Sequence, residues 1–254
     1  MARLCAAALT VVVVALMPAA PAQSATIRLT TVSWEPYYGR EMRGGGPVTA
    51  LVRAAARVRG HTIEVTYQPW ERALTAAKRG THDGLLGAYH SAERAAHFHF
   101  TQPFLSLPVS LIGRRGEVPA SYDSLRELTP YVIGYNRGWE YPDHFDRADF
   151  LTKEAATDHR LNVRKLLLKR VDLVAMAEGI FHHTLADMNG AAASYVALDP
   201  PLMTGKLHVT LSKKLPNAKQ LRDDLDAGLA RIRADGTYDA ILGQYTIGAR
   251  GHTP

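Results

Sequence analysis

Cysteine is nearly absent from this sequence, and glycine and proline are spread along the chain rather than concentrated in one region. The chain has 254 residues with 1 Cys, 20 Gly and 14 Pro. A disulfide needs two cysteines, so a small disulfide-stapled scaffold is excluded, and collagen-like or low-complexity chains are excluded as well. With 46% hydrophobic and 21% charged residues, the composition is that of a globular protein. Its length allows one large domain or two modest ones.

Long apolar runs are also missing, except near the N-terminus. There Arg3 precedes an apolar stretch that Pro18 interrupts, and small residues lead up to Ala25. This pattern predicts a secretory signal peptide over residues 1–25, with an uncleaved anchor as the alternative. A membrane anchor needs about 20 apolar residues, and this stretch is shorter. We therefore expect a soluble mature protein, periplasmic or secreted, from which Cys5 has been removed.

The chain carries a formal net charge of +6 at pH 7. Its basic residues are scattered in pairs such as Arg114–Arg115 and Lys213–Lys214, with no basic stripe between aromatic residues. Nucleic-acid binding usually shows such a stripe, and an exported protein seldom meets nucleic acid. We expect no nucleic-acid partner. The charge favours small anions or an anionic membrane surface.

Short apolar strands alternate with amphipathic helices along the mature chain. Residues 27–32 and 62–67 have strand patterns, and residues 48–58 place their apolar side chains on one helical face. Residues 113–119 contain Gly and Pro and mark a crossover, after which a second series of strands and helices begins. A helix is predicted over residues 139–146. The alternation predicts the α/β class with mainly parallel sheets.

Several segments occur in an order that resembles one known family. They are Trp34-Glu35-Pro36-Tyr37-Tyr38 after the first strand, Gly80 to Gly87, Ser91-Ala92-Glu93-Arg94, Phe98 to Phe104, Ile133 to Gly138, and Arg170 to Val174. In this order they are similar to periplasmic solute-binding proteins of the polar amino-acid type, the bacterial extracellular solute-binding protein family 3. Proteins of that family serve ABC importers. The resemblance covers nearly the whole mature chain.

The resemblance implies a two-lobe periplasmic-binding-protein-like (type II) fold with two hinge crossings. Residues 26–112 and 208–254 would form lobe 1, and residues 113–207 would form lobe 2. A small-molecule ligand would be held in a cleft that closes by hinge motion, and the membrane permease of an ABC importer would read the closure. We expect a monomer without a cofactor.

Arg94 is the residue that the resemblance implies for binding the ligand's carboxylate. A guanidinium suits this role because it can form two parallel, charge-assisted hydrogen bonds with a carboxylate. The alternative is a surface arginine paired with Glu93 or Glu71.

Aromatic side chains are expected to form the walls of this cleft. Trp34, Tyr37 and Tyr38 follow the first strand, at the end of the strand where doubly wound sheets bind ligands. Such rings can enclose an apolar or cationic ligand. Trp34 could instead belong to the core. Trp70 could line the cleft or pack between the lobes.

Two turns could add backbone N–H groups to the site. Gly87, Ala88 and Tyr89 end the third strand, where small residues let a ligand approach the backbone. Gly138 and Trp139 lie at a strand-to-helix turn, where N–H groups favour an anion. The alternative in both places is an ordinary turn.

One position departs from the family pattern. Amino-acid binders of the family carry an aspartate that pairs with the ligand's ammonium group, and this sequence has Ala177 there. Glu178 is adjacent, but a shift of one residue along a strand turns the side chain to the opposite face. The resemblance therefore supports binding of the ligand's carboxylate in this sequence better than it supports binding of the ligand's ammonium group. We expect a carboxylate-bearing ligand, either an amino acid or a related compound.

Metal binding and catalysis are the remaining alternatives. His97 and His99 would share a strand face and His182 and His183 are adjacent, but the sequence shows no converging set of three or four ligands, so we expect no metal. A lyase or dehydratase on the same scaffold would need an acid or base, for which only His90 and Glu178 are candidates. No nucleophile motif is present. We expect a binding protein rather than an enzyme, with a ligand-sensing module for a membrane receptor as a further alternative.

Overall fold

The computed structural model describes residues 24–245. The predicted signal peptide lies outside the described residues except for its last two positions. Residues 246–254 of the predicted first lobe lie outside them as well. Within residues 24–245, no helix combines the length and the apolar character needed to cross a membrane.

Strands and helices alternate along the described chain. The strands are β1 (Thr26–Thr31), β2 (Thr62–Tyr67), β3 (Gly84–Tyr89), β4 (Phe98–Phe100), β5 (Leu105–Arg114), β6 (Val132–Asn136), β7 (Thr152–Ala156), β8 (Leu173–Ala177), β9 (Tyr195–Ala197) and β10 (Met203–Ser212). The helices are α1 (Pro47–Val58), α2 (Trp70–Arg79), α3 (Ala92–His97), α4 (Asp143–Asp146), α5 (His159–Leu167), α6 (Glu178–Asp187), α7 (Ala218–Ala234) and α8 (Thr237–Gln244). Short 3-10 turns lie at Arg43–Gly45, Leu125–Leu128 and Ala192–Ser194.

Local sequence signals explain where these helices begin and end. Pro47 occupies the first position of α1, where its missing N–H costs no hydrogen bond. The side chains of Ser91 and Asp158 accept backbone N–H groups at the starts of α3 and α5. Gly80 ends α2 with a φ of 80°, a conformation that glycine adopts more readily than other residues.

The sheet has the strand order β2-β1-β3-β10-β5-β8-β6-β7, with β4 beside β10 and β9 beside β5. The pairs β2–β1, β1–β3, β8–β6 and β6–β7 are parallel, whereas β10 and β5 run antiparallel to each other and to β3 and β8. The predicted α/β class is confirmed, but the prediction of a mainly parallel sheet is only partly right. The two central strands, β5 and β10, connect the two parallel groups and run in opposite directions. Each is therefore antiparallel to the other, and β10 is antiparallel to β3 as β5 is to β8.

The strands β5 and β10 each pair with both parallel groups. Leu105 to Val109 of β5 pair with β10, and Val109 to Gly113 pair with β8. Similarly, Met203 to Leu207 of β10 pair with β5, and Leu207 to Leu211 pair with β3. The predicted crossover at residues 113–119 therefore begins inside a strand.

Apolar burial holds the helices against the sheet. The helices α1 and α7 approach so closely that a Cβ at Gly228 would overlap the backbone of Ala55. A second cluster, which includes Ile112, Val163 and Phe181, packs α5 and α6 against β8. Full burial of one such side chain contributes about 1.5–3 kcal/mol, so each cluster is a substantial part of the stability.

The helix predicted over residues 139–146 is shorter in the structure. Only Asp143–Asp146 are helical, as α4. Pro142 precedes this helix, and a proline disfavours helical backbone in the residue before it. As a result, Trp139 and Glu140 lie in an irregular segment after β6, where they are free to face another part of the molecule.

Candidate functional site

A cleft lies between the carboxyl ends of β1 and β3 and the segment that follows β6. The space between its atoms is about 320 Å³, including the part open to solvent. Its lining consists of Val32, Trp34, Tyr38, Trp70, Gly87, Tyr89, Arg94, Trp139, Glu140 and Leu207. The carboxyl ends of parallel strands are where open α/β sheets bind ligands. All three tryptophans of the sequence take part in this lining.

Two walls face each other across this cleft. The first wall consists of Trp34, Tyr38, Trp70, Tyr89 and Arg94, which are held on or next to β1, α2, β3 and α3. The second wall is the single segment Gly138, Trp139 and Glu140 after β6.

Arg94 is positioned by the start of α3. Its backbone N–H donates to Ser91 Oγ at 3.3 Å, which fixes the first turn of the helix. The side chain is only 3% exposed. The predicted carboxylate-binding arginine is therefore part of the cleft and not a surface arginine.

The guanidinium of Arg94 connects the two walls. Its Nη1 donates to the Tyr89 carbonyl oxygen at 2.9 Å, and its Nη2 donates to the Gly138 carbonyl oxygen at 3.1 Å. The distance from Nε to Glu140 Oε1 is 3.4 Å. The Trp70 ring lies 5.1 Å from the guanidinium carbon. A guanidinium has five N–H donors, so hydrogen-bonding capacity remains for a ligand.

Burial and charge act on Arg94 in opposite directions. Burial lowers the pKa of its guanidinium, and the Glu140 carboxylate opposes this effect by raising that pKa. Because an arginine side chain keeps its proton in proteins, Arg94 remains a desolvated cation. Such a cation attracts an anion more strongly than one in water does.

Trp34 is the centre of the aromatic lining. It is 2% exposed, and its ring centroid lies 5.6 Å from that of Tyr38, 6.2 Å from that of Tyr89 and 5.5 Å from that of Trp139. Among the described residues, neither Trp34 Nε1 nor Tyr89 Oη has a hydrogen-bond partner. Buried polar groups usually have one, so a ligand with oxygen acceptors suits this wall.

Burial acts on the phenol groups of the first wall. It raises the pKa of both Tyr38 and Tyr89 above the ordinary tyrosine value. The hydroxyl of Tyr38 donates to the Gly87 carbonyl oxygen at 3.3 Å. Gly87 has a φ of 79°, and a Cβ there would lie 2.6 Å from Tyr38 Oη. Glycine is therefore required at this point of the wall.

The second wall is held against the first by hydrogen bonds. Trp70 Nε1 donates to the Gly138 carbonyl oxygen at 3.0 Å, and Ser91 Oγ donates to Glu140 Oε1 at 3.0 Å. Gly138 contributes its carbonyl oxygen to these contacts, and the backbone N–H of Trp139 donates to the Asn136 carbonyl oxygen at 3.4 Å. Glu140 was missed by the sequence analysis, although it directly follows the predicted pair Gly138 and Trp139.

Four of the predicted site residues lie outside the lining, namely Gly138, which adjoins it, and Tyr37, Ala88 and Glu178. Ala88 packs into a core cluster with Ala73 and Phe98. Tyr37 is buried, and its hydroxyl abuts Gly179. Burial, together with the negative charge of Glu178, raises the pKa of Tyr37 to about 12.

Glu178 begins α6 instead of continuing the strand. Its Oε1 accepts a hydrogen bond from Ser110 Oγ at 2.7 Å. Ala177, where the family's aspartate was expected, is 1% exposed and pairs with Val109 in the sheet. Neither position reaches the cleft lining.

The residues considered for catalysis and metal binding are dispersed. His90 is exposed and stacks near Phe100 rather than lining the cleft. In the part of the chain that the structure describes, no three His, Cys, Asp or Glu side chains converge as a metal site would require.

Similar solved structures include a sensor domain and an amino acid ABC transporter substrate-binding protein. A histidine kinase sensor domain with similarity to periplasmic binding proteins has a TM-score of 0.74 and 22% identity, covering 87% of this chain and 95% of that one. An amino acid ABC transporter substrate-binding protein from Streptococcus pneumoniae, bound to L-arginine, has a TM-score of 0.71 and 17% identity, with coverages of 87% and 94%.

A third similar structure is described as the precursor of an enzyme. It is an ancestral amino-acid-binding protein described as a precursor of cyclohexadienyl dehydratase, with a TM-score of 0.68, 16% identity and coverages of 87% and 94%. At these identities the similarity establishes the fold.

No curated protein matches the sequence. The model of the bacterial extracellular solute-binding proteins, family 3, matches residues 30–248, which is most of the chain. The chain belongs to this family of bacterial extracellular solute-binding proteins.

Proposed function

We propose that this protein is an extracytoplasmic solute-binding protein that delivers a small carboxylate-bearing ligand to the permease of an ABC importer. The observation that carries the proposal is the buried Arg94 guanidinium within an aromatic cleft. A desolvated guanidinium between aromatic rings suits a ligand with one anionic end and an apolar or cationic body. An amino acid or a related compound has this chemistry.

Delivery requires the cleft to close around its ligand. We assign residues 26–112 and 208–254 to one lobe and residues 113–207 to the other, with β5 and β10 as the connections. Arg94, Trp70 and Ser91 would then contact Gly138 and Glu140 across the lobes. A ligand that contacts both walls binds the closed form better, and so it shifts the population toward that form.

The protein would act outside the cytoplasm. The family consists of extracellular proteins, and residues 1–25 have the pattern of a cleaved export signal. Mass spectrometry of the mature protein from its native host tests the cleavage, which we expect near Ala25.

A ligand-sensing role is the second candidate. The similarity to a histidine kinase sensor domain favours it, since the same cleft closure could report a ligand to a membrane receptor. Both roles need the same binding chemistry, so they differ only in the membrane partner.

The first experiment tests binding. Thermal unfolding of the mature protein is measured with each standard L-amino acid and with small organic acids, and titration of the intrinsic tryptophan fluorescence follows. A ligand at 100 times its dissociation constant stabilises the folded state by about 2.7 kcal/mol. We expect at least one carboxylate-bearing compound to raise the midpoint and to saturate the fluorescence change. No response to any of them contradicts the proposed function.

The second experiment separates transport from sensing. A strain without the gene is tested for uptake of the radiolabelled ligand and for ligand-dependent transcription. Loss of uptake with retained transcription supports the importer. Retained uptake with lost transcription overturns it in favour of the sensor.

A further inference from the structure

The charges in the cleft form a pair. Among the described lining residues, Arg94 is the one basic residue and Glu140 the one acidic residue. The 3.4 Å between Arg94 Nε and Glu140 Oε1 is longer than the ~2.7–2.9 Å of a well-formed charge-assisted bond. The pair is therefore loosely made, and a ligand can separate it at small cost.

Glu140 also has unused hydrogen-bonding capacity. Its Oε1 accepts from Ser91 Oγ, whereas its Oε2 accepts no hydrogen bond from the described residues. The side chain is 26% exposed, so it faces the open part of the cleft rather than the core. A carboxylate can accept about four hydrogen bonds, so Glu140 can bind a donor group of a ligand.

The other acidic candidate for binding an ammonium group, Glu178, lies outside the cleft lining. The Glu178 carboxylate is bound to Ser110 Oγ beside β5, and Ala177 has no polar group. A positively charged group within the cleft would thus have Glu140 as its anionic neighbour. Trp34 and Trp139 line the same cleft, and the faces of their rings attract a cation as well.

A zwitterion can replace both halves of the pair at once. Its carboxylate would bind Arg94 and its ammonium group would bind Glu140, so that the buried cation and the half-buried anion each keep an opposite charge. A ligand with a carboxylate alone would take Arg94 and leave Glu140 unpaired beside a second negative charge. An unpaired charge in such a site is costly.

We propose that Glu140 is the specificity-determining residue of this cleft and binds the ligand's ammonium group, so that the cleft selects zwitterions over simple carboxylates. This inference rests on the proposed function, because it presumes that the cleft binds a carboxylate-bearing solute. It assigns the role that the resemblance implies for position 177, at the end of β8, to the segment that follows the neighbouring strand β6.

The test uses matched pairs of probes. Each standard L-amino acid is compared with the carboxylic acid that lacks its α-ammonium group, such as 3-phenylpropanoate for phenylalanine or 4-methylpentanoate for leucine. Dissociation constants are measured by calorimetry for the wild type, for Glu140→Gln, and for Glu93→Gln as the control. Glu93 adjoins Arg94 in the sequence, but its side chain is 74% exposed and paired with Lys78.

We expect Glu140→Gln to weaken amino-acid binding about tenfold to a hundredfold, as the loss of a charged hydrogen-bond partner does. Binding of the deaminated acid should stay equal or improve, because its competitor for Arg94 has lost its charge. Glu93→Gln should behave like the wild type. The unfolding midpoint of each ligand-free variant shows whether the fold is kept.

Three results overturn the inference. One is an unchanged preference for the amino acid in Glu140→Gln, and another is an equal loss of affinity for both members of a pair. The third is a wild type that binds the deaminated acids more tightly, a result that leaves the proposed carboxylate-binding function intact. If the wild type binds no member of either set, the proposed function itself fails, and the inference fails with it.

Discussion

The two walls of the cleft differ in how much of the fold supports them. The residues of the first wall lie at the ends of β1 and β3 and in the first turns of α2 and α3, and Trp34, Tyr38 and Arg94 are almost completely buried. The second wall is one irregular segment in which Gly138 is exposed and Trp139 and Glu140 are half-buried. The first wall fixes the cation of the site, and the second supplies its anion.

From this difference we expect the first wall to govern affinity and the second wall to govern selectivity. A change in the first wall alters both the site and the packing of the surrounding strands and helices. A change in the second wall alters the ligand's surroundings with little effect on the core. Comparing variants of the two walls shows whether this division is real.

The largest effect is expected at Arg94. Replacing it with glutamine removes the charge but keeps a polar side chain, and about 3 kcal/mol of charge-assisted hydrogen bonding to a carboxylate is lost. This corresponds to a loss of affinity of about a hundredfold. Calorimetry with the tightest-binding carboxylate measures it.

Arg72→Gln serves as the control for this change, since Arg72 is an exposed arginine of α2. Its affinity should equal that of the wild type. An unchanged affinity in Arg94→Gln would show that the guanidinium does not bind the ligand. It would also contradict the expectation that the first wall governs affinity.

The position of Arg94 was predictable from a short pattern, as were those of Trp34, Trp70 and Trp139. Each lies next to a strand end or a helix start, and these boundaries can be recognised from local periodicity and glycine positions. The antiparallel pairing of β5 with β10 was harder to predict. It joins segments far apart in the sequence, and no local pattern records which strands become neighbours.

The position of Glu140 in the cleft depends on two effects that act together. Pro142 shortens the predicted helix, which leaves Glu140 outside regular structure. Its contacts with Ser91 and Arg94 then arise from the tertiary approach of the two walls. Likewise, Glu178 was expected on a strand, and its pairing with Ser110 follows from the start of α6 at that residue.

The next largest effect compares one glycine near each wall. Gly87 and Gly138 both have a positive φ, of 79° and 73°. Alanine in this conformation costs about 1–2 kcal/mol at either position. At Gly87 the new Cβ would also press on the buried Tyr38 ring, and such overpacking typically adds about 1–3 kcal/mol. At Gly138 it would meet the exposed carboxylate of Glu71, which can move away.

We therefore expect Gly87→Ala to lower the free energy of unfolding clearly more than Gly138→Ala does. Urea denaturation of the two ligand-free variants measures this difference, and each serves as the other's control. Equal losses of stability would show that the second wall is as firmly built into the fold as the first.

The smallest effect is expected for Trp70→Phe, which weakens the contact between the walls. Phenylalanine keeps an aromatic ring beside Arg94 but cannot donate to the Gly138 carbonyl oxygen, a bond of 3.0 Å in the wild type. A hydrogen bond of this kind contributes about 0.5–1.5 kcal/mol. Because the bond joins the two walls, its loss should shift the population toward the open form and lower the apparent affinity several-fold.

Tyr245→Phe is the matched control for this last change. It also removes a bond from an aromatic side chain to a carbonyl oxygen, from Tyr245 Oη to Arg43 at 3.2 Å, but far from the cleft lining. Tyr245→Phe should leave ligand affinity unchanged, and fluorescence titration compares the two variants. If both variants, or neither, lose affinity, the Trp70 bond does not couple the walls. The remaining contacts between the walls are then those of Arg94 with Gly138 and of Glu140 with Arg94 and Ser91.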